Sequence, residues 1–340
     1  MKALVYTAPR EFQIKEVDYP RLGENQVIIK VMACGVCKTD LHIHNGEFLA
    51  QFPLIPGHEF AGEIEEVGSA VTAFSRGERV VADNTVLCGE CYYCRRNQPL
   101  FCENFYSLGC TGPGGFAQYV VVNQDKVFPI EKLSFEQATL TEPTACAIHG
   151  MDVIDVKPGD DVLLFGAGPT GIILAQLLKH CGAVNLVVAA PTQFKLDIVK
   201  DLCADYIVQV DRNDYSKHTQ EIKRLFPKGF DVVVDATGAA SITEHCIQFA
   251  KYGGKIVIYG VCPEDARITI SPYEIFRKEL KLIGSFAQTH CFDRALKYLE
   301  NGIVKVDRLI THTFKLKDYA QALELVRSGR CLKVVIKPNE

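Results

Sequence analysis

Short apolar runs bounded by glycine, proline or charged turn residues fill the first part of the chain. Residues 27–33, 62–67, 79–82 and 116–122 each read as strands of a half-buried β-sheet. Past Pro158-Gly159-Asp160 the grammar changes. Asp161–Phe165 is a short apolar run, and a glycine-rich turn leads into a helical pattern over 170–181. Strand-like Asn185–Ala190, helix-like Gln193–Leu202, and the segments 205–210, 231–235, 242–250 and 254–260 follow. Strand and helix alternating at this pitch predict βαβ units and a parallel sheet. The closing segments 292–301, 317–329 and 332–337 are too short for a core of their own, so they are expected to return to the first domain. The predicted class is therefore α/β. A β-rich domain of residues 1–146 and 287–340 is interrupted by a doubly wound parallel-sheet domain of residues 147–286.

Composition narrows the possible roles. A chain of 340 residues exceeds what one core usually supports, in keeping with two domains. With 37 basic against 41 acidic residues, the net charge of −4 argues against a nucleic-acid footprint or a polybasic membrane patch. No apolar run reaches the length of about 18 residues that a bilayer span requires. The opening Met1-Lys2-Ala3-Leu4-Val5-Tyr6 reads as a strand and not as a secretory leader. Fourteen cysteines without such a leader predict a cytoplasmic protein whose thiols are reduced or metal-bound.

Four of those thiols carry the strongest signal. Cys88, Cys91, Cys94 and Cys102 form the pattern C-x2-C-x2-C-x7-C, within a lobe spanning about residues 86–104. Thiolates at this spacing converge on one tetrahedral ion, and a reducing compartment disfavours two disulfides in their place. A structural zinc is the expectation.

Gly166-Ala167-Gly168-Pro169-Thr170-Gly171 is a G-x-G-x-x-G between a predicted strand and a predicted helix, the context that a dinucleotide site requires. Gly166 serves the turn, Gly168 the approach of a pyrophosphate and Gly171 the packing of helix on strand, with Pro169 and Thr170 opening the helix. The helix N-terminus then offers N–H groups to phosphate. The next strand ends Ala189-Ala190-Pro191-Thr192, with no acid to grip a ribose or repel a 2′-phosphate. Thr192, Gln193 and Lys195 can donate to such a phosphate, which favours NADP over NAD.

A second metal centre is expected upstream. Cys37, His58 and Glu59 offer a thiolate, an imidazole and a carboxylate, the mixed set of a catalytic zinc with an open position. Glu142 in Thr141-Glu142-Pro143 can add a carboxylate, directly or through metal-bound water.

On these residues the chain resembles a zinc-containing medium-chain dehydrogenase/reductase, the alcohol dehydrogenase superfamily, from end to end. Cys37 in its Cys-Gly-Val-Cys turn, Gly57-His58-Glu59, the four-cysteine lobe, Gly114 to Tyr119 and Gly166 to Gly171 carry the likeness. Glu142 in its Glu-Pro context resembles the polyol (sorbitol-type) and threonine dehydrogenases, where ordinary alcohol dehydrogenases place a cysteine. Two departures go with this. Ala190 stands where NAD-using polyol dehydrogenases have aspartate, and the zinc lobe that many of them lack is complete.

The resemblance implies a GroES-like catalytic domain around a Rossmann domain, two zinc ions per chain and reversible oxidation of a secondary alcohol. A sugar alcohol going to a ketose is the favoured substrate; primary or aromatic alcohols and amino alcohols are the alternatives. It also implies that Thr39 takes the hydroxyl proton and passes it, by way of cofactor ribose hydroxyls, to His42. Phe48, Phe105 and Tyr106 are candidate aromatic walls for the pocket. Finally it implies a homo-oligomer, dimer or tetramer, joined at the Rossmann sheet edge, where the apolar strand 254–259 is the candidate.

Overall fold

The computed structural model describes residues 1–340 except Phe48, so that candidate pocket residue lies outside the described residues. The chain packs as two units. One comprises Met1–Ala145, Gln288–Gly302 and Val306–Glu340; the other comprises Cys146–Ala287 with Ile303–Lys305.

In the first unit the strand Gln26–Val36 is buried along most of its length, because it is flanked on both sides. Antiparallel neighbours are Glu59–Val67, Tyr119–Asn123 and Lys333–Lys337. Arg79–Ala82, Val127–Pro129 and Ile310–Lys315 complete a seven-stranded sheet. Leu4, Tyr6, Val31, Phe60, Phe116 and Tyr319 belong to the core packed on it. Register decides what this sheet can do. Gly35 lies opposite Glu59 on one side and opposite Val335 on the other. Three segments far apart in sequence therefore end side by side: the run into Cys37, the run out of His58, and the strand that begins at Lys333.

The second unit is a six-stranded parallel sheet. Its spatial order is Tyr206–Gln209, Asn185–Ala190, Asp161–Phe165, Phe230–Asp235, Ala250–Ile258 and Lys281–Gly284. Numbered by sequence this is 3-2-1-4-5-6, the doubly wound dinucleotide order. Val162, Leu163, Leu164, Val187, Val188, Val233 and Val234 are buried as the middle layer of such a sheet must be. The order also corrects one expectation. Residues 254–259 cannot form a free sheet edge, because their strand is paired on both sides; Lys281–Gly284 is the edge strand on that side. Apolarity in that run reports an interior position. Among the described residues no helix is long and apolar enough to cross a membrane.

Candidate functional site

The first donor group is built where the strand Gln26–Val36 gives way to the helix Lys38–Asn45, here α1. Cys37 is the N-cap residue of that helix, so its sulfur sits at the positive end of the helix dipole. Cys37 Sγ, a His58 ring nitrogen and a Glu59 carboxylate oxygen all lie within 4.8 Å of one another. Thr39 Oγ1 is 3.7 Å from Cys37 Sγ. Glu142 stands outside this close group, in the first turn of the helix Thr141–Ile154, with its charge acting on Lys333.

Two residues that sequence reasoning passed over hold the group together. Asp40 is fully buried, and its Oδ2 accepts the Cys37 backbone N–H at 2.8 Å. Its Oδ1 faces His58 Nδ1 at 3.9 Å, beyond hydrogen-bond reach, and neither atom has a hydrogen-bond partner. A carboxylate behind a ligating imidazole is what orients such a ring toward metal. Burial pushes the Asp40 carboxyl up to about 6, against the pull of His58. A signal existed for Asp40: it is the N3 residue of a capping box that starts at Cys37.

Lys333 had none. It sits 274 residues from Glu59 in sequence, yet its Nζ donates to both Glu59 oxygens at 2.7 and 2.6 Å. Only 2 % of Lys333 is exposed. Burial alone would lower its pKa, but the charges of Glu59, Cys37 and Glu142 outweigh that and hold it above the ordinary lysine value.

The second group is the cysteine lobe. The sulfurs of Cys88, Cys91, Cys94 and Cys102 lie within 4.8 Å of one another. Cys88 Sγ and Cys102 Sγ are 3.5 Å apart, Cys91 Sγ and Cys102 Sγ 3.9 Å. A tetrahedral ion with metal–sulfur bonds of about 2.3 Å requires sulfurs about 3.8 Å apart. The donor set fits zinc. Backbone N–H groups of Glu90 and Cys91 bring the Cys88 thiol down to about 6, whereas burial and the neighbouring thiols push Cys94 up to about 12. Four thiolates crowded this closely would repel one another, and a central cation relieves that repulsion. Among the described residues none of the fourteen cysteines is paired in a disulfide.

The third group lies in the second unit. Gly166 adopts φ +113°, a conformation that side-chain-bearing residues rarely take. A Cβ on Gly168 would meet nothing within 4 Å, so its backbone stands open to a pyrophosphate. Pro169 and Thr170 open the helix Pro169–His180 and Gly171 is buried in its first turn. The strand Asn185–Ala190 ends without a carboxylate; Thr192 caps the next helix and Lys195 lies in its first turn, over the Phe194 ring. Asp235 is spent locally, accepting from the Thr237 and Thr243 hydroxyls at 2.6 Å each.

His42 lies in the last turn of α1, hydrogen-bonded through Nδ1 to Glu47 at 2.6 Å. Tyr106 pairs with Val86 at the lobe's base and packs on Gly112, while Phe105 is half-buried.

Residues 23–132 match the family model for the alcohol dehydrogenase GroES-like domain, and residues 169–301 that for zinc-binding dehydrogenases. The chain is 48% identical over 340 residues to D-arabinitol dehydrogenase 1 of Uromyces fabae, covering 100% of this chain and 97% of that one. It is 32% identical over 349 residues to sorbitol dehydrogenase of Bacillus subtilis, covering 100% and 98%. Among solved structures, a zinc-binding dehydrogenase from Sinorhizobium meliloti 1021 bound to NADP superposes with a TM-score of 0.93. That pair shares 30% identity, with 99% of each chain covered.

Proposed function

Because the chain belongs to the zinc-containing medium-chain dehydrogenases, in their polyol branch, we infer that it oxidises a secondary hydroxyl of a sugar alcohol to the ketone and returns it. The observation that carries this reading is the Cys37, His58 and Glu59 donor group, with the Thr39 hydroxyl 3.7 Å from the cysteine sulfur. Cys37 and His58 would hold a zinc ion there, with Glu59 or Glu142 as the further carboxylate. The ion supplies Lewis-acid polarisation of the substrate hydroxyl, which brings alkoxide formation near neutral pH. The four-cysteine lobe would hold a second, structural zinc.

This chain's own groups do the rest. Asp40 fixes the Cys37 backbone and stands behind the His58 ring, so both donors keep one orientation. Lys333 neutralises Glu59 inside the protein. Thr39 Oγ1 takes up the hydroxyl proton as it gives its own hydrogen onward, and His42, partly exposed on α1, releases a proton to water.

For the cofactor, the open Gly168 backbone and the helix N-terminus at Pro169 support a nicotinamide dinucleotide. NADP is favoured over NAD: no carboxylate follows Ala190 to repel a 2′-phosphate, and Thr192 and Lys195 can donate to it. The test is turnover of pentitols, hexitols and simple alcohols by zinc-loaded enzyme, with NADP and NAD in parallel. Polyol turnover with NADP is the expected result. A preference for ethanol- or benzyl-type alcohols would sink the polyol assignment, and a preference for NAD would sink only the phosphate argument.

A further inference from the structure

The C-terminus of α1 is an unusual use of a common motif. Gly46 adopts φ +85°, the left-handed conformation of a helix cap, and a Cβ there would come within 2.7 Å of Pro9 Cγ. Gly46 N–H donates to Ile43 O at 3.0 Å, and Glu47 N–H to His42 O at 2.9 Å. These are the two bonds of a Schellman cap, with His42 and Glu47 as the outer pair. In that cap the side chains at these two positions normally meet as an apolar contact. Here they meet as imidazole and carboxylate, His42 Nδ1 to Glu47 Oε2 at 2.6 Å. The pair stays in reach of water, with 20% of the His42 side chain and 37% of that of Glu47 exposed.

The pair is not needed to hold the helix end. Tyr6, fully buried in the core, has its hydroxyl 2.9 Å from His44 Nδ1, and Arg10 N–H donates to His44 O at 2.8 Å. Gly46 and Glu47 supply the backbone cap whatever side chain follows. What the carboxylate adds is chemical. An ionised carboxylate only accepts, so the shared hydrogen belongs to Nδ1. Neutral His42 then carries its lone pair on Nε2, and that nitrogen is the base.

The geometry points to Glu47 as the positioning residue of the proton exit: by accepting the Nδ1 hydrogen of His42 it fixes the tautomer in which Nε2 can receive a proton. This rests on the reading of His42 as the residue that releases the substrate proton. No new bond is made or broken beyond that transfer. A proton arrives at Nε2 while the Nδ1 hydrogen stays hydrogen-bonded to the Glu47 carboxylate, and the proton leaves to water. The cap explains why the arrangement is reliable, since a left-handed glycine between the two residues throws Glu47 back over the turn that carries His42.

The test uses zinc-loaded, full-length enzyme labelled with 15N-histidine, with the His42→Ala spectrum identifying the His42 signals. At a pH where its own 15N shifts report the neutral ring, His42 of the native enzyme is expected as the Nδ1–H tautomer. Glu47→Ala should turn it to Nε2–H and lower kcat about tenfold, the lower end of what losing such an outer partner costs. Glu47→Gln, whose amide oxygen can still accept, should keep the tautomer and recover part of the rate. A Glu47→Ala enzyme that keeps the Nδ1–H tautomer, or that changes tautomer with kcat untouched, overturns the proposal. His42→Ala separates the two levels. Wild-type kcat in His42→Ala would overturn the proton exit itself, whereas a loss there beside an unaffected Glu47→Ala would overturn only the role of Glu47.

Discussion

The two metal-donor groups of the first unit are built on opposite plans. The lobe draws Cys88, Cys91, Cys94 and Cys102 from one short, partly exposed stretch, and its donors are all of one kind. Cys37 follows the end of one strand, and His58 and Glu59 stand at the start of its neighbour, so sheet register brings them together; they are of three kinds. Around the lobe the supporting contacts are backbone amides, such as Cys91 N–H to Cys88 Sγ at 3.4 Å. Around the mixed group they are buried charges, Asp40 on one side and Lys333 on the other. Four thiolates close a coordination shell and leave nothing for substrate, which suits a structural ion. Two firm donors with a carboxylate held by a lysine leave room, which suits a reacting one. A closed site can be local and self-contained; an open one needs the fold to hold its partners apart.

This contrast can be broken most directly by removing one donor from each group. His58→Ala should lower kcat/KM by on the order of 10³-fold, equivalent to about 4 kcal/mol of lost polarisation. Its far-UV circular dichroism should be unchanged, and the lobe should still hold one equivalent of zinc by elemental analysis. Cys91→Ser should do the reverse: the lobe loses its zinc and its protease resistance, while kcat/KM per folded molecule falls by less than about tenfold. Equal losses of activity in the two variants would erase the distinction.

A smaller effect tests the buried charges. Lys333→Met leaves Glu59 uncompensated and is expected to cost about 3–5 kcal/mol in urea unfolding of chelated protein. With zinc bound the cost should shrink, because the cation supplies the missing positive charge. Adding Glu59→Gln should restore most of the stability. A Lys333→Met protein as stable as the wild type would mean that the pair is not a supporting element of the site.

The smallest effect serves as a control in the second unit, where pH and not metal is expected to act. His218 is buried, with both ring nitrogens lacking hydrogen-bond partners, and His245 Nε2 pairs with Thr219 Oγ1 at 2.8 Å. Burial lowers the pKa of both below the ordinary 6.5, more than the acids Asp214, Asp211 and Glu221 raise that of His218. The unfolded chain therefore takes up protons first as pH falls. The stability from these residues is complete above about pH 6.5 and is lost as pH drops toward the depressed folded values. Melting curves between pH 5 and 8 should show that slope, and His218→Leu should flatten it; an unchanged slope would remove these histidines as its cause.

What the sequence determined by itself was whatever depends on neighbours along the chain. The four cysteines, the G-x-G-x-x-G between strand and helix, and the alternation of strand and helix after Pro158 are local patterns, each tied to a conformation by spacing and glycine geometry. The end of the strand Asn185–Ala190 could be read for its missing acid for the same reason. Tertiary structure decided what depends on register. That Gly35 lies between Glu59 and Val335 follows from pairing across three strands, and no local pattern encodes it. Lys333 looked like one more lysine at the head of a terminal strand, and only the sheet made it the buried partner of Glu59. Strand 254–259 looked like an edge because apolar strands look alike; the strand order made it interior. Asp40 and Glu47 fall between these cases. Asp40 lies in the box at the start of α1 and Glu47 just past its end, in the cap, but their meaning needed His58 and His42 to be placed. Short-range geometry is set by backbone preference, which the sequence states directly; long-range contact is set by how sheets choose register, which is a property of the whole core.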